Sequence, residues 1–334
     1  MTSSTRHLLV TGASGFLGSR IVHLALNAGW KVRAFVRNPN SVDERAEINV
    51  GDIRDSAALL KACQGVSAVI HAAGLAHVFG PLSRDYAAFK AANEIGTSRL
   101  VDAATKVGVA HIVLLSSVAV YGHHDEDPCD ETTVCRPRGA YAVSKWRGEL
   151  RASEHIAKCD GSLTILRMAT IYGEGDRGNI AKLISALDRG RFIWPGSGRN
   201  HKSLIYKDDA ARACLSALEA AIRGINTFNV SAPAVTMREI VTTICQELGR
   251  PVPRAYIPQP FIGMASAIME RIGINIQLLH QVQKFIHDDV YSCAKFENTF
   301  HFRPSVSLAE GILREVIYLR ANRVNNSIIG ISAY

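Results

Sequence analysis

Tyr141 and Lys145 are the side chains in this sequence whose types and spacing most readily do chemistry. Four residues apart on a helix, they share a face with Cβ atoms about 5–6 Å apart. A free phenol, with a pKa of about 10, is a poor base at neutral pH. A neighbouring ammonium favours the phenolate and lowers that value. Tyr141 can then pass a proton to or from a hydroxyl or carbonyl oxygen. Tyr-x-x-x-Lys also arises by chance on amphipathic helices, so its company matters. Ser116 and Ser117 close an apolar strand, in Ser116-Ser-Val-Ala-Val-Tyr-Gly122, where a buried strand favours Val. A hydroxyl there can bond the same oxygen as Tyr141; a strand end merely solvated by Ser is the ordinary alternative.

A second stretch supplies the partner such a pair would need. His7-Leu-Leu-Val10 is an apolar burst the length of one buried strand, and Thr11-Gly-Ala-Ser-Gly-Phe-Leu-Gly18 follows it. Phe16, Leu17, Ile21, Leu24 and Leu26 then fall near helical spacing, and Gly29 supplies a stop. Strand, glycine-rich turn and helix let a backbone approach a pyrophosphate. Gly12 permits a sharp exit, Gly15 offers no Cβ to a phosphate, and Gly18 lets the helix lie close. The helix N-terminus then faces the anion. Glycines that serve packing alone are the plainer reading, but a strand at Lys31 to Arg37 directly after the helix favours a dinucleotide.

Strands and helices alternate onward: Ile48 to Val50, a helix from Ser56 as cap to Cys63, Ala68 to Ala73, a long helix from Asp85 to Gly108, His111 to Ser117, a helix from Tyr141 to Lys158, and Leu163 to Ile171. Such alternation predicts an α/β fold, a Rossmann-type doubly wound parallel sheet with ligands beyond the strands' carboxyl ends. From about Asn179 glycines and prolines loosen the pattern. The expected division is residues 1–178 for the dinucleotide domain, with a strand near 225–231 able to rejoin its sheet, 179–322 for a smaller C-terminal substrate-binding lobe, and 323–334 for a tail. Helices are predicted over Lys207 to Ala221 and, with Thr236 as cap, Met237 to Leu248. The apolar segment Phe261 to Ile276 reads as packing in the small lobe, ahead of a lid, an oligomer contact or a membrane-skimming helix.

With 334 residues, 47% hydrophobic and 20% charged, the chain can bury a full core. Its formal charge of +8 comes from scattered Lys and Arg, which argues against a nucleic-acid surface. No apolar run reaches the ~18–20 residues of a membrane span, and the polar Met1 to Arg6 reads as no signal peptide. Seven cysteines without a Cys-x-x-Cys pair point to reduced thiols and a cytoplasmic protein. His77, His123 and His124 fall in loops, and His123-His-Asp-Glu-Asp127 lacks metal-ligand spacing, so no metal is expected.

Taken together, these motifs resemble the extended short-chain dehydrogenase/reductase family, in its NAD-dependent epimerase/dehydratase branch. The resemblance runs to about residue 315. It rests on the glycine turn, Gly-Asp-Ile-Arg at 51–54, His-Ala-Ala-Gly at 71–74, Asn93 with Gly96-Thr97, Ser-Ser-x-x-x-Tyr-Gly at 116–122, Tyr-x-x-x-Lys at 141–145, and Arg167 before Ile171-Tyr-Gly173. It implies that Gly12, Gly15, Phe16, Leu17 and Gly18 hold the pyrophosphate of NAD or NADP. It places Asp52 and Ile53 at the adenine, Ala72, Ala73 and Gly74 along the cofactor, and Asn93 near it. Ser117 and Tyr141 become catalytic, Ser117 also touching substrate. Lys145 holds the nicotinamide ribose and lowers the tyrosine pKa. Thr170, Asn179 and Lys202 become substrate contacts, Lys202 standing where many members carry Arg. A homodimer through the two long helices is a further implication.

NAD-specific members carry an acidic residue after the second strand; here Val36-Arg37-Asn38 has none. Arg37, with Arg33, can instead pair with a 2′-phosphate, which leans the cofactor toward NADP. The function so implied is hydride transfer at C4 of a nucleoside-diphosphate sugar, most readily a UDP-sugar, as 4-epimerase or 4-ketoreductase. Val118 after Ser117 argues against dehydration. The alternatives are an NADPH-dependent reductase or dehydrogenase of a non-sugar alcohol, resembling dihydroflavonol reductase or sterol dehydrogenase, and a non-catalytic cofactor-binding protein.

Overall fold

The computed structural model describes residues 6–39, 41–76, 85–122, 128–257 and 285–331. In chain order these form β1 (His7–Thr11), α1 (Gly18–Asn27), β2 (Lys31–Val36), β3 (Glu47–Val50), α2 (Ser56–Cys63), β4 (Ala68–His71), α3 (Tyr86–Phe89), α4 (Gly96–Lys106), β5 (His111–Ser117), α5 (Gly139–Ile156), β6 (Ser162–Met168) and β7 (Thr170–Tyr172). There follow α6 (Asn179–Asp188), β8 (Trp194–Pro195), β9 (His201–Lys202), β10 (Leu204–Tyr206), α7 (Lys207–Ala220), β11 (Ile225–Val230), β12 (Val235–Thr236), α8 (Met237–Leu248), β13 (Tyr256–Ile257), α9 (Ala294–Phe300) and α10 (Leu308–Ile331).

The chain divides into two compact units. The first takes the described residues of Met1–Ala169, Lys207–Val230 and Ser292–Arg303. It holds a 7-stranded sheet in the order β11-β6-β5-β4-β1-β2-β3, with every pairing parallel. The return of β11 to pair with β6 is what carries Lys207–Val230 into this unit. From β1 the chain winds one way through β2 and β3, then the other way through β4, β5 and β6. The switch lies between β1 and β4, where such sheets open a crevice at the carboxyl ends of their strands. Thr11 pairs with both Phe35 and His71, so these ends are level. Alternate residues Leu9, Val69, Ile112, Leu114 and Ile165 point to one face and pack under Leu59, Leu100 and Ile156 of the helices.

Several expectations are corrected in detail. Asp55, not Ser56, caps α2, accepting from the amides of Ala57 and Ala58; its carboxylate reaches two donors one residue earlier. The long helix over Asp85 to Gly108 is interrupted by a π turn at Lys90–Ile95. The strand drawn from Leu163 to Ile171 is two strands broken at Ala169, because β7 leaves the large sheet to pair with β10.

The second unit takes the described residues of Thr170–Tyr206, Ser231–Tyr291 and Pro304–Tyr334. It has two-stranded pairings β10-β7, β12-β9 and β13-β8, with Ile184, Ile240, Ile244, Ile312 and Val316 among the residues of its core. Thr236 caps α8 in a reciprocal capping box with Glu239, and Gly249 ends that helix in the left-handed region. Helix α10 continues to Ile331, through a stretch left without an assignment from sequence. Phe261 to Ile276, His77, His123 and His124 lie outside the described residues. Among those described, no helix is long and apolar enough to cross a membrane, and no group of His, Cys, Asp and Glu could hold a metal ion.

Candidate active site

The glycine turn is built by contacts that only glycine tolerates. Gly12 has φ +68°, and a Cβ on it would stand 2.7 Å from the Ala73 nitrogen. A Cβ on Gly18 would stand 2.0 Å from the Gly12 carbonyl oxygen. The first turn of α1 therefore lies directly on the exit of β1. No side chain caps the α1 N-terminus, which leaves a cradle of backbone amides with a positive dipole, the arrangement that accepts a pyrophosphate. Gly15 and Phe16 stand open to solvent or half-open, and Leu17 is buried. These residues fit a dinucleotide.

The second half of the site converges on Gly74. A Cβ there would meet the Asn93 Oδ1 at 2.9 Å and the Lys145 Nζ at 3.2 Å. Ala72, Ala73 and Gly74 thus form a ledge with the Gly12 turn against one part and Lys145 against another. Lys145 Nζ donates to the Leu115 carbonyl at 2.8 Å, tying α5 to the end of β5. One turn earlier on α5, the Tyr141 ring meets Phe89 edge-on with centroids 6.2 Å apart. The Ser117 side chain lies close enough to the Tyr141 phenol to favour its ionised form, and its hydroxyl accepts from the Ala119 amide at 3.2 Å. The structure therefore brings Ser117, Tyr141, Lys145, Gly74 and the glycine turn together in one unit.

The electrostatics depart from expectation. Burial pushes the Tyr141 phenol up from its ordinary value, opposed by the Ser117 side chain. The Lys145 ammonium is turned to the Leu115 carbonyl and lies against Gly74. Burial lowers Lys145 itself to about 8, against the pull of Glu149. Glu149 is in turn buried against Arg167, whose guanidinium donates to it at 2.7 Å and to the Tyr121 hydroxyl at 2.9 Å.

Asn93 is buried, and its amide is fully employed within the protein. Its Oδ1 accepts from the Leu75 amide at 2.7 Å; its Nδ2 donates to the Leu75 carbonyl and the Ser144 hydroxyl, each at 3.0 Å. Asp52 lies after β3, held to about 2 chiefly by its hydrogen bonds with Arg54. Ile53 packs on the core cluster beside Gly96. Arg37 is exposed just past β2, close enough for its charge to help depress Asp52. Arg33 is corrected: it is spent on Glu47 at 2.8 Å and on the carbonyls of Ala62 and Gln64. As the third residue of β2 it projects beside β3 rather than at the strand end. Thr170 on β7 and Asn179 at the start of α6 are exposed, and Lys202 on β9 is buried; all three belong to the second unit. Sequence reasoning assigned no role to Thr11, Phe89, Ser144 or Glu149. Polar residues closing the apolar runs of β1 and β4 were the one available signal.

Comparison with known proteins follows the same lines. The family model of the NAD dependent epimerase/dehydratase family matches residues 8–231. The chain is 32% identical over 322 residues to N-acetyl-alpha-D-glucosaminyl-diphospho-ditrans,octacis-undecaprenol 4-epimerase of Escherichia coli O157:H7, covering 93% of this chain and 95% of that protein. It is 30% identical over 331 residues to 2-alkyl-3-oxoalkanoate reductase of Stenotrophomonas maltophilia (strain K279a), covering 92% and 97% respectively. Among solved structures, MoeE5 in complex with UDP-glucuronic acid and NAD is similar with a TM-score of 0.76 at 26% identity, over 95% of this chain and 99% of that one.

Proposed function

The chain belongs to the NAD dependent epimerase/dehydratase family, and from that premise we propose that it inverts C4 of a sugar carried on a diphosphate, with NAD or NADP as its cofactor. The observation that carries this reading is Tyr141, with Ser117 beside its phenol, one helical turn from Lys145, whose Nζ abuts the ledge beside the Gly12 turn. The glycine turn and the Ala72–Gly74 ledge would hold the cofactor, whose nicotinamide would supply reversible hydride acceptance at C4. Tyr141 accepts the proton of the C4 hydroxyl as the carbonyl forms, and gives it back as the carbonyl is reduced. Ser117 holds that oxygen and hands its own hydrogen bond between phenol and substrate. Lys145 supplies the positive charge that favours the phenolate at the moment of proton removal. Thr170, Asn179 and Lys202 are proposed substrate contacts, Lys202 toward the diphosphate.

The carrier is a nucleoside or a polyprenol. MoeE5 was solved with UDP-sugars, whereas the Escherichia coli relative is named for a sugar on undecaprenyl diphosphate. Incubating the protein with UDP-glucose, UDP-N-acetylglucosamine, dTDP-glucose and N-acetylglucosaminyl-diphospho-undecaprenol, with product NMR, tests both. A C4-inverted product with no net change in cofactor absorbance supports the proposal. Stoichiometric loss of NADPH on a 4-keto sugar nucleotide, or on a 3-oxo acid as the Stenotrophomonas relative's name suggests, supports a second reading, a ketoreductase. Exposed Arg37 favours acceptance of NADP in either case. A cytoplasmic homodimer through α4 and α5 completes the proposal; Ile95, at the end of the π turn before α4, and Leu150 on α5 leave apolar side chains exposed.

A further inference from the structure

The ledge Ala73–Leu75 is held at both ends by one continuous series of hydrogen bonds, and the direction of each bond is forced. A carbonyl oxygen only accepts, so the Thr97 hydroxyl donates to the Asn93 carbonyl at 2.6 Å. The Thr97 oxygen is then the acceptor for His71 Nε2 at 3.0 Å. A neutral imidazole carrying its proton on Nε2 has a bare Nδ1. The Thr11 hydroxyl accordingly donates to Nδ1 at 2.7 Å, and its oxygen accepts from the Ala73 amide at 3.2 Å. The series begins at Ala73 and ends at Asn93, whose side chain grips both backbone groups of Leu75. Gly74, between the two grips, is the residue against which Lys145 Nζ lies. Asn93 also holds Ser144, whose hydroxyl donates to the Tyr141 carbonyl at 2.7 Å. The π turn bearing Asn93 is pressed by α5, since a Cβ on Gly148 would stand 2.4 Å from the Asn93 oxygen. Thr11, His71, Asn93 and Thr97 are all buried.

We propose that Thr11, His71 and Thr97 are positioning residues, and that the Nε2-protonated tautomer of His71 sets the ledge and the Tyr141–Lys145 turn in register with the glycine turn. The proposal rests on the reading of Tyr141 and Lys145 as the reacting pair. A misplacement of about 1 Å at such a pair costs up to about 100-fold in rate.

Two measurements test it. Long-range proton–nitrogen NMR on the ring-labelled wild-type protein, with the His71 signals identified by their loss in His71→Asn, is expected to show bare Nδ1 and protonated Nε2 from pH 6 to 9. An Nδ1-protonated ring or an imidazolium overturns the proposal, and this readout needs no substrate. Thr97→Val is expected to lower kcat about 10- to 100-fold at saturating cofactor and sugar, with Thr97→Ser restoring it. Unchanged kcat in folded Thr97→Val overturns the proposal. Tyr141→Phe in parallel separates the two readings: its full activity refutes the reacting pair, whereas its inactivity beside a fully active Thr97→Val refutes only the positioning series.

Discussion

Lys145→Met should make the cofactor-free protein relatively more stable near neutral pH while abolishing its function. Burial is the main reason Lys145 falls from 10.5 to about 8, with Glu149 opposing. Each unit of pKa is worth about 1.4 kcal/mol, so the folded state carries a penalty of up to about 3 kcal/mol for holding this ammonium. The side chain is half-buried, and water on its open side reduces the expected figure to about 2 kcal/mol. The sign follows from proton counts. Below pH 8 the amine is charged in both folded and unfolded chains, and the penalty is complete. Between about 8 and 10.5 the unfolded chain binds more protons than the folded one, so stability rises with pH. Above that window both forms are neutral and the penalty is gone. Methionine keeps the length of the stem but has no charge, so the variant lacks this dependence. It also loses the hydrogen bond to the Leu115 carbonyl, about 1 kcal/mol, which offsets the two curves equally at every pH. His71, pushed down to about 3 by burial first and Lys145 second, stays neutral throughout. The assay is urea unfolding of both proteins from pH 7 to 10.5, followed by tryptophan fluorescence. Wild type should gain about 2 kcal/mol on the variant across that range. A difference that stays flat with pH refutes the reasoning, because it would mean the ammonium is as well solvated folded as unfolded.

Tyr141→Phe should lower turnover about 10²- to 10⁴-fold while leaving NAD binding unchanged, checked by product NMR and by cofactor titration. Arg167→Met strands a carboxylate that is buried together with its guanidinium partner, and should cost about 3–5 kcal/mol in urea unfolding. The double variant Glu149→Leu with Arg167→Met should recover part of that loss, since the guanidinium and its carboxylate leave together while the Lys145 ammonium loses the pull of Glu149. Arg37→Ser should weaken NADPH about tenfold with little effect on NADH, from loss of one exposed charge-assisted contact; equal effects on both cofactors in a fluorescence titration would remove Arg37 from 2′-phosphate recognition.

Local chemistry made much of this protein legible from its sequence. Glycines at 12, 15 and 18 between a strand and a helix admit few conformations, and the alternation that follows admits few sheets, so the parallel α/β architecture and the nucleotide turn could be read directly. Tyr141 and Lys145 were readable for the same reason: four residues on a helix is a fixed geometry. What the side chains do once placed was not readable. The orientation of the Lys145 ammonium toward Leu115 and Gly74, and the burial that raises the Tyr141 phenol, depend on how the chain packs around α5. Arg33 and Arg37 look alike in sequence, but only the neighbouring β3 and α2 spend the first of them on Glu47, Ala62 and Gln64. Thr11, His71, Asn93 and Thr97 are scattered along the first hundred residues of the chain, and no spacing rule joins them. They meet because parallel pairing sets the ends of β1 and β4 side by side and the π turn aims a carbonyl at Thr97, an arrangement fixed by long-range packing rather than by any local run of residues.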